Sequence, residues 1–194
     1  IGKVVLRMKS GHKVDANYLQ WLKDNLVDLD SFVKKIDADL WHESLDISWK
    51  IKEDAHKSLS KINYDLGGGG CTPLLYFLVR KICPDVIVET GVAAGFSSYA
   101  MLAAIEKNNK GTLYSSDFPY FRIRNPENFI GYIVPDRFKK ENWKLYIEGD
   151  KNNLPLILSE VKKVDFIHYD SDKSYDGRSW VLDRLRDYFS ESTV

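Results

Sequence analysis

Near the carboxyl end of the chain the stretch FIHYDSDKSYDGR places Asp170, Asp172 and Lys173 directly after a run of apolar and aromatic residues. Two carboxylates at that spacing suit a hard divalent cation such as Mg2+, which takes oxygen ligands, and the amine beside them is a candidate base. Lysine starts from an ordinary pKa of about 10.4, and flanking carboxylates hold its proton in place unless a cation neutralises them. The plainer alternative is a turn rich in Asp and Ser, with Ser174 or Asp176 capping a helix. For an isolated D-x-D that alternative wins; here the position at a strand end favours chemistry. His168 shares a strand face with Phe166 and Asp170 by the period of two, either as a hydrogen-bonded core group or as a substrate contact.

A second concentration of chemistry lies in VIVETGVAAGFSSYAML, residues 86–102. An apolar segment with β-branched residues runs into a glycine turn and then into a helical pattern, and such a turn can hold a ligand at the helix N-terminus. Measured against the dinucleotide fingerprint G-x-G-x-x-G from Gly91, the second and third glycines would fall at Ala93 and Phe96, so an NAD site is a weak second choice. No Lys-Ser or Lys-Thr follows either glycine cluster, which removes a P-loop. Glu89 precedes the turn, and Asp117 lies 26 residues after Gly91 at the end of TLYSSD. A carboxylate placed there can accept both hydrogen bonds of a ribose diol.

Those residues need a frame. From Asp85 the pattern alternates strand and helix, with strands near VIVET, TLYSSD, KLYIEG and VDFIHYD, which predicts a doubly wound, mostly parallel α/β sheet with ligands at its carboxyl edge. Val194 falls where a fifth strand should begin, so the sheet reads as truncated after the helix that follows strand four, its last strand an edge that is either a fragment's end or covered by something else. Upstream, Asp15 is placed to cap one amphipathic helix running through Leu19, Leu22, Leu26, Leu29, Phe32, Val33 and Ile36. Alternation at Leu45, Ile47, Trp49 and Ile51 suggests a short strand, followed by a helical KEDAHKSLSKI. The run 67–70 is all glycine, and Thr72 with Pro73 then opens an apolar helix. The expected organisation is a mainly helical appendage over 1–66 and a ligand-binding domain over 67–194.

ETGVAAGFSS resembles the first motif of class I S-adenosylmethionine-dependent methyltransferases, E/D-x-G-x-x-x-G followed by a small residue, and the resemblance extends over roughly 72–194. It implies a Rossmann-like methyltransferase sheet, with the donor S-adenosylmethionine at 89–98. Glu89, Gly91 and Gly95 would then lie at the methionine moiety, Ser97 or Ser98 at its carboxylate, Asp117 at the ribose and Asp150 near the adenine. D-x-D-K is similar to the strand-four motif of cation-dependent catechol-type O-methyltransferases, which implies Asp170 as a metal ligand, with Asp172 beside it, and Lys173 as the assisting base. DSDKSY is closer still to the DGDHSY of a bacterial branch with sugar- and antibiotic-tailoring methyltransferases and cephalosporin-hydroxylase-like proteins; Lys173 stands where His is usual. The remaining metal ligands of those families lie at the tip of strand five. The resemblance thus implies methyl transfer to a hydroxyl of a small molecule, assisted by a divalent cation. A donor-binding protein or fragment without catalysis, and less favourably an NAD-dependent oxidoreductase, stay open beside it.

Composition limits the partners. The chain has 194 residues, 44% hydrophobic and 13% aromatic, with 28 basic and 28 acidic side chains. A formal charge of zero supplies no field toward nucleic acid or anionic lipid. Two cysteines, Cys71 and Cys83, are too few for a disulfide scaffold or a cysteine zinc site, and His12, His42 and His56 show no ligand spacing. No apolar run approaches a membrane span and no signal peptide is visible, so the expectation is a cytoplasmic protein with a trimmed start, homo-oligomerisation being left open. The aromatic segment 118–138, with Arg122 and Arg124, reads equally as a lid over the acceptor or as a packing loop.

Overall fold

The computed structural model describes residues 16–121, 123–139 and 141–194. Asp15, His12 and Arg122 lie outside those residues. The chain divides into two compact units, Ile1–Asp39 and Leu40–Val194; the boundary anticipated at 66/67 instead falls within the second.

Among the described residues of the first unit, one helix and the start of a second stand where the spacing of apolar residues predicts one. Helix α1 spans Ala16–Asn25, and α2 begins at Leu29 and runs to Leu59. Asp28 separates them because its carboxylate accepts the Ser31 backbone N–H at 2.8 Å, the geometry of a helix cap. Asp37 interrupts α2 with φ −166° and ψ 96°, close to the end of the unit.

In the second unit the rest of α2 is helical throughout, including the stretch 45–51 expected as a strand. Its inward positions are Trp41, Ser44, Ser48, Ile51 and Ala55, a three- and four-residue period. Two of the five are serines, which masked the helical stripe and left the accidental alternation visible. Ser48 is satisfied by pairing its hydroxyl with that of Thr72 at 2.7 Å. Thr72 is thereby taken from the capping role expected of it, and α3, Thr72–Ile82, begins without a side-chain cap.

The sheet comprises β1 Val86–Thr90, β2 Thr112–Ser116, β3 Trp143–Tyr146 and β4 Phe166–Tyr169. All pairings are parallel and the order is β3-β2-β1-β4. Ile87, Leu113, Trp143 and Phe166 face a core made with α2, α3 and α4, Phe96–Asn108. Val88 and Tyr114 face α5, Asp150–Glu160, and α6, Tyr175–Leu185. Helix α4 is buried from Ser98 to Ile105, and from Ala100 to Ile105 its sequence is apolar at every position. The winding reverses beside β1, whose neighbours are β2 on one side and β4 on the other, so a crevice opens at the carboxyl ends of β1 and β4.

The outer edge of β4 is partly covered by the chain itself. Val194 donates its N–H to the Asp165 carbonyl at 3.1 Å and accepts from the Ile167 N–H at 2.8 Å, while the Thr193 hydroxyl donates to the Val164 carbonyl. These are the hydrogen bonds of a parallel neighbour, placed where the sequence pattern anticipates strand five.

Candidate active site

The turn after β1 is shaped by close backbone approach. Gly91 has φ +87°, and a Cβ there would stand 2.7 Å from the Asp170 carbonyl oxygen; Gly95 has φ +99°, with Val134 at 2.7 Å from the same hypothetical atom. Only glycine fits both positions. The segment that packs beneath the turn comes from 130–138: Gly131 and Ile133 donate their N–H groups to the carbonyls of Ala93 and Ala94 at 2.8 and 3.0 Å. Ile130, Ile133, Val134 and Phe138 are buried, so this half of the 118–138 segment is core. The other half faces the crevice, with Phe118, Pro119, Tyr120 and Phe121 on a wall. Packing thus accounts for 130–138, while 118–121 line the cavity beside which the lid reading would set them. Arg124, exposed, is not on that wall.

Asp117 fastens the turn from β2. Its Oδ2 accepts the N–H groups of Val92 and Ala93 at 2.8 and 2.7 Å, and Oδ1 accepts that of Phe118 at 2.6 Å. Burial pushes the Asp117 carboxyl up from its ordinary value, against the three backbone donors, and Glu89 adds to the rise.

Glu89 is 0% exposed and lies beneath the cavity floor rather than on it. Its Oε1 accepts the Ser97 hydroxyl at 2.5 Å, and its Oε2 those of Ser98 and Ser115 at 2.6 and 2.7 Å. Ser115 in turn accepts from Trp143 Nε1 at 2.9 Å. Ser98 is as buried as Glu89, so of the two serines only Ser97 reaches the cavity. The remaining neighbour is His168, paired with Glu89 in the β1/β4 register, whose Nδ1 is 3.6 Å from Glu89 Oε1. Among the described residues this Nδ1 is the one buried side-chain nitrogen or oxygen without a hydrogen-bond partner. Leaving such an atom unpaired costs about 1–3 kcal/mol.

The cavity above holds about 350 Å³, within the range of small-molecule sites. The turn and the start of α4 form its floor, 68–70 and Leu75 one wall, 117–121 another, and His168, Asp170 and Ser171 the β4 side. The glycine run passes over α4 so closely that a Cβ on Gly69 would meet the Phe96 ring at 2.7 Å. Tyr120 donates its hydroxyl to the Leu66 carbonyl at 3.0 Å, joining the two walls.

The acids at the end of β4 separate. Asp170 faces this cavity, whereas Asp172 faces a second one of about 470 Å³, with Asp150, Lys151, Gly177 and Trp180. Lys173 is ion-paired with Asp170 and stands over the Tyr169 ring; both partners are largely exposed, at 47% and 60%. Asp172 Oδ1 accepts the Ser174 N–H at 2.9 Å, and Ser174 caps α6 by accepting the Gly177 N–H at 3.0 Å. The capping alternative for this stretch is therefore realised at Ser174. Asp170 and Asp172 open on different cavities, and no group of three or more His, Cys, Asp or Glu that could hold a metal ion occurs among the described residues. These residues do not by themselves fit a shared cation site.

Asp150 lies at the first position of α5, where its Oδ1 accepts the Ser116 hydroxyl and its Oδ2 the Ser171 hydroxyl, both at 2.6 Å. It ties the ends of β2 and β4 together between the two cavities. Asn153, which the sequence reading passed over, is 1% exposed. Its amide donates to Ser116 Oγ and to the carbonyls of Asp117 and Tyr146, and its Oδ1 accepts the Glu148 N–H. An Asn inside the first turn of a helix gave no signal separable from solvation. Ser115 could have been found, being the polar inward residue two before Asp117 on β2.

Residues 88–194 match a family described as methyltransferase domain. No curated protein matches the sequence. The fold resembles a methyltransferase of Podospora anserina bound to SAH, with a TM-score of 0.57 at 13% identity, covering 87% of this chain and 69% of that one. It also resembles an O-methyltransferase of Bacillus cereus in complex with SAH, at 0.50 and 19% identity, over 86% and 67% of the two chains. The O-methyltransferase TomG of Streptomyces achromogenes, involved in tomaymycin synthesis and solved with SAM, gives 0.51 and 17%, over 72% and 60%. Among the described residues no helix is long and apolar enough to cross a membrane.

Proposed function

Since the chain belongs to the methyltransferase domain family, we propose that it moves the methyl group of S-adenosylmethionine to a hydroxyl of a small molecule. The observation that carries this is the cavity at the β1/β4 crevice, floored by a glycine turn that opens into the uncapped N-terminus of α4. The first N–H groups of a helix without a side-chain cap favour an anion, which suits the donor's methionine carboxylate. Gly91 lets backbone pass beneath the methionine moiety, and Ser97 stands at the helix start. Glu89 and Ser98 serve from below, by fixing Ser97. Asp117, on the same cavity, is offered to the ribose, and Asp150, on the far side of Ser171, is near the adenine end.

In the reaction an acceptor oxygen forms a bond to the methyl carbon as the carbon–sulfur bond breaks, and the hydroxyl proton leaves to a base. The cavity wall of Phe118, Tyr120 and Phe121 suits a ring-bearing acceptor. Asp170 faces the space where the acceptor would lie, and Lys173, as the neutral amine once released from its ion pair with Asp170, is the proposed proton acceptor. A divalent cation would supply acidification of the acceptor hydroxyl. Asp170 could contribute one ligand; Asp172, turned to the second cavity, would not join it there, and no step is assigned to a metal.

Calorimetric titration with S-adenosylhomocysteine, with NAD as control and magnesium present or absent, tests the reading. Micromolar binding of the homocysteine compound alone is expected. Binding of NAD in its place would reverse the assignment of the turn.

A further inference from the structure

Resting on the donor assignment above, we infer that His168 is a donor-binding residue: its Nε2 accepts a hydrogen bond from the α-ammonium of the methionine moiety, and Glu89 fixes the ring for that task. The counting begins with Glu89. An ionised carboxylate has about four acceptor positions. Ser98 and Ser115 use the two on Oε2, Ser97 uses one on Oε1, and the position left belongs to the oxygen that faces His168 Nδ1. At 3.6 Å the pair is slightly longer than a hydrogen bond, and Nδ1 has no other partner. A donor at Nδ1 satisfies both groups after a shift of a few tenths of an ångström; an acceptor there would set a lone pair against a buried carboxylate. The ring therefore carries a proton on Nδ1, and in the neutral imidazole Nε2 is then the bare acceptor. The His168 side chain is 23% exposed, and the residue lines the cavity.

What donates to Nε2 follows from where it stands. Ser97 and His168 converge on the same carboxylate oxygen, so the imidazole lies beside the N-terminus of α4. A ligand that puts an anion at that helix end and an N–H donor one carbon away fills both positions, and an α-amino acid has that form. Among the described residues, the side chains lining the same cavity that carry a full charge at neutral pH are the acids Asp117 and Asp170, so these surroundings favour an ammonium over a second anion.

The test compares two probes that differ only beyond the sulfur. S-adenosylhomocysteine carries the amino acid moiety and 5′-methylthioadenosine lacks it. His168→Ala is expected to weaken the first by roughly tenfold and to leave the second unchanged in calorimetric titration. Equal loss for both would make His168 a structural residue and overturn the inference, as would no loss for either. If the unaltered protein binds neither probe, the donor assignment falls and this inference with it. Long-range proton–nitrogen NMR of the unaltered protein gives an independent reading: Nε2 is expected without a proton at pH 8, and a protonated Nε2 with a bare Nδ1 would overturn the inference even if the donor binds.

Discussion

Two carboxylate clusters stand at neighbouring strand ends, and they are built on opposite principles. Glu89 is fully enclosed and takes three hydroxyl hydrogen bonds from α4 and β2, whereas Asp170 is exposed and held by a single exposed lysine. In the sequence the second cluster looks richer, with two acids and a lysine in four residues. In the fold the first is the organised one, because hydroxyls from different elements converge on it while the neighbours of Asp170 diverge to a second cavity and a helix cap. Crowding in sequence is a weaker sign of a built site than convergence from separate elements.

The comparison can be broken most easily at Glu89. Glu89→Ala should cost at least about 3 kcal/mol, since three hydroxyls lose a charged acceptor in the interior; urea unfolding would measure it, and a loss below about 1 kcal/mol would show that the network is not what stabilises this corner. Gly95→Ala comes next at about 2 kcal/mol, from a positive φ and a contact with Val134 that must give way. The same unfolding curve reads it, with α4 expected to lose its docking on the turn.

Asp117 sharpens the contrast through pH. Its folded pKa is raised by burial, so the stability tied to its protonated form is fully present below about 3.8, its ordinary value, and is lost as pH rises through the folded value. Asp117→Asn removes that loss. The variant should gain on the unaltered protein as pH climbs through that window, and parallel stability profiles would contradict the assigned cause. The smallest effect on folding is expected at the exposed cluster: Asp170→Asn and Lys173→Met should each change stability by no more than about 0.5 kcal/mol. Asp170→Asn should nonetheless abolish methyl transfer while S-adenosylhomocysteine still binds. Full activity in that variant would remove Asp170 from the reaction.

Much of the fold was legible because it depends on local pattern. Four short β-branched and aromatic strands alternating with helices fixed the parallel sheet, and the glycines at 91 and 95 fixed the turn, since no side chain fits where β4 and Val134 approach. The helix at 45–51 was not legible, because serines on its inward face broke the hydrophobic period: Ser44 donates back to the Leu40 carbonyl within the helix, and Ser48 pairs with Thr72 from a different helix. The single helix expected through 19–36 failed for the opposite reason, a continuous apolar period interrupted by one capping acid, Asp28.

At the site the sequence alone determined residue types and strand ends: an acid before the turn, one at the tip of β2, a histidine and acids on β4. Which of them line a cavity was decided only by tertiary structure. Glu89 went beneath the floor, Ser97 and Ser98 parted by one step of helix rotation, and Asp170 and Asp172 were divided between two cavities by the turn into α6. The physical reason is that burial and hydrogen-bond saturation depend on groups 8 to 79 residues away, among them the Ser97 and Ser115 hydroxyls at Glu89 and the register that sets His168 against it. No local period encodes those distances.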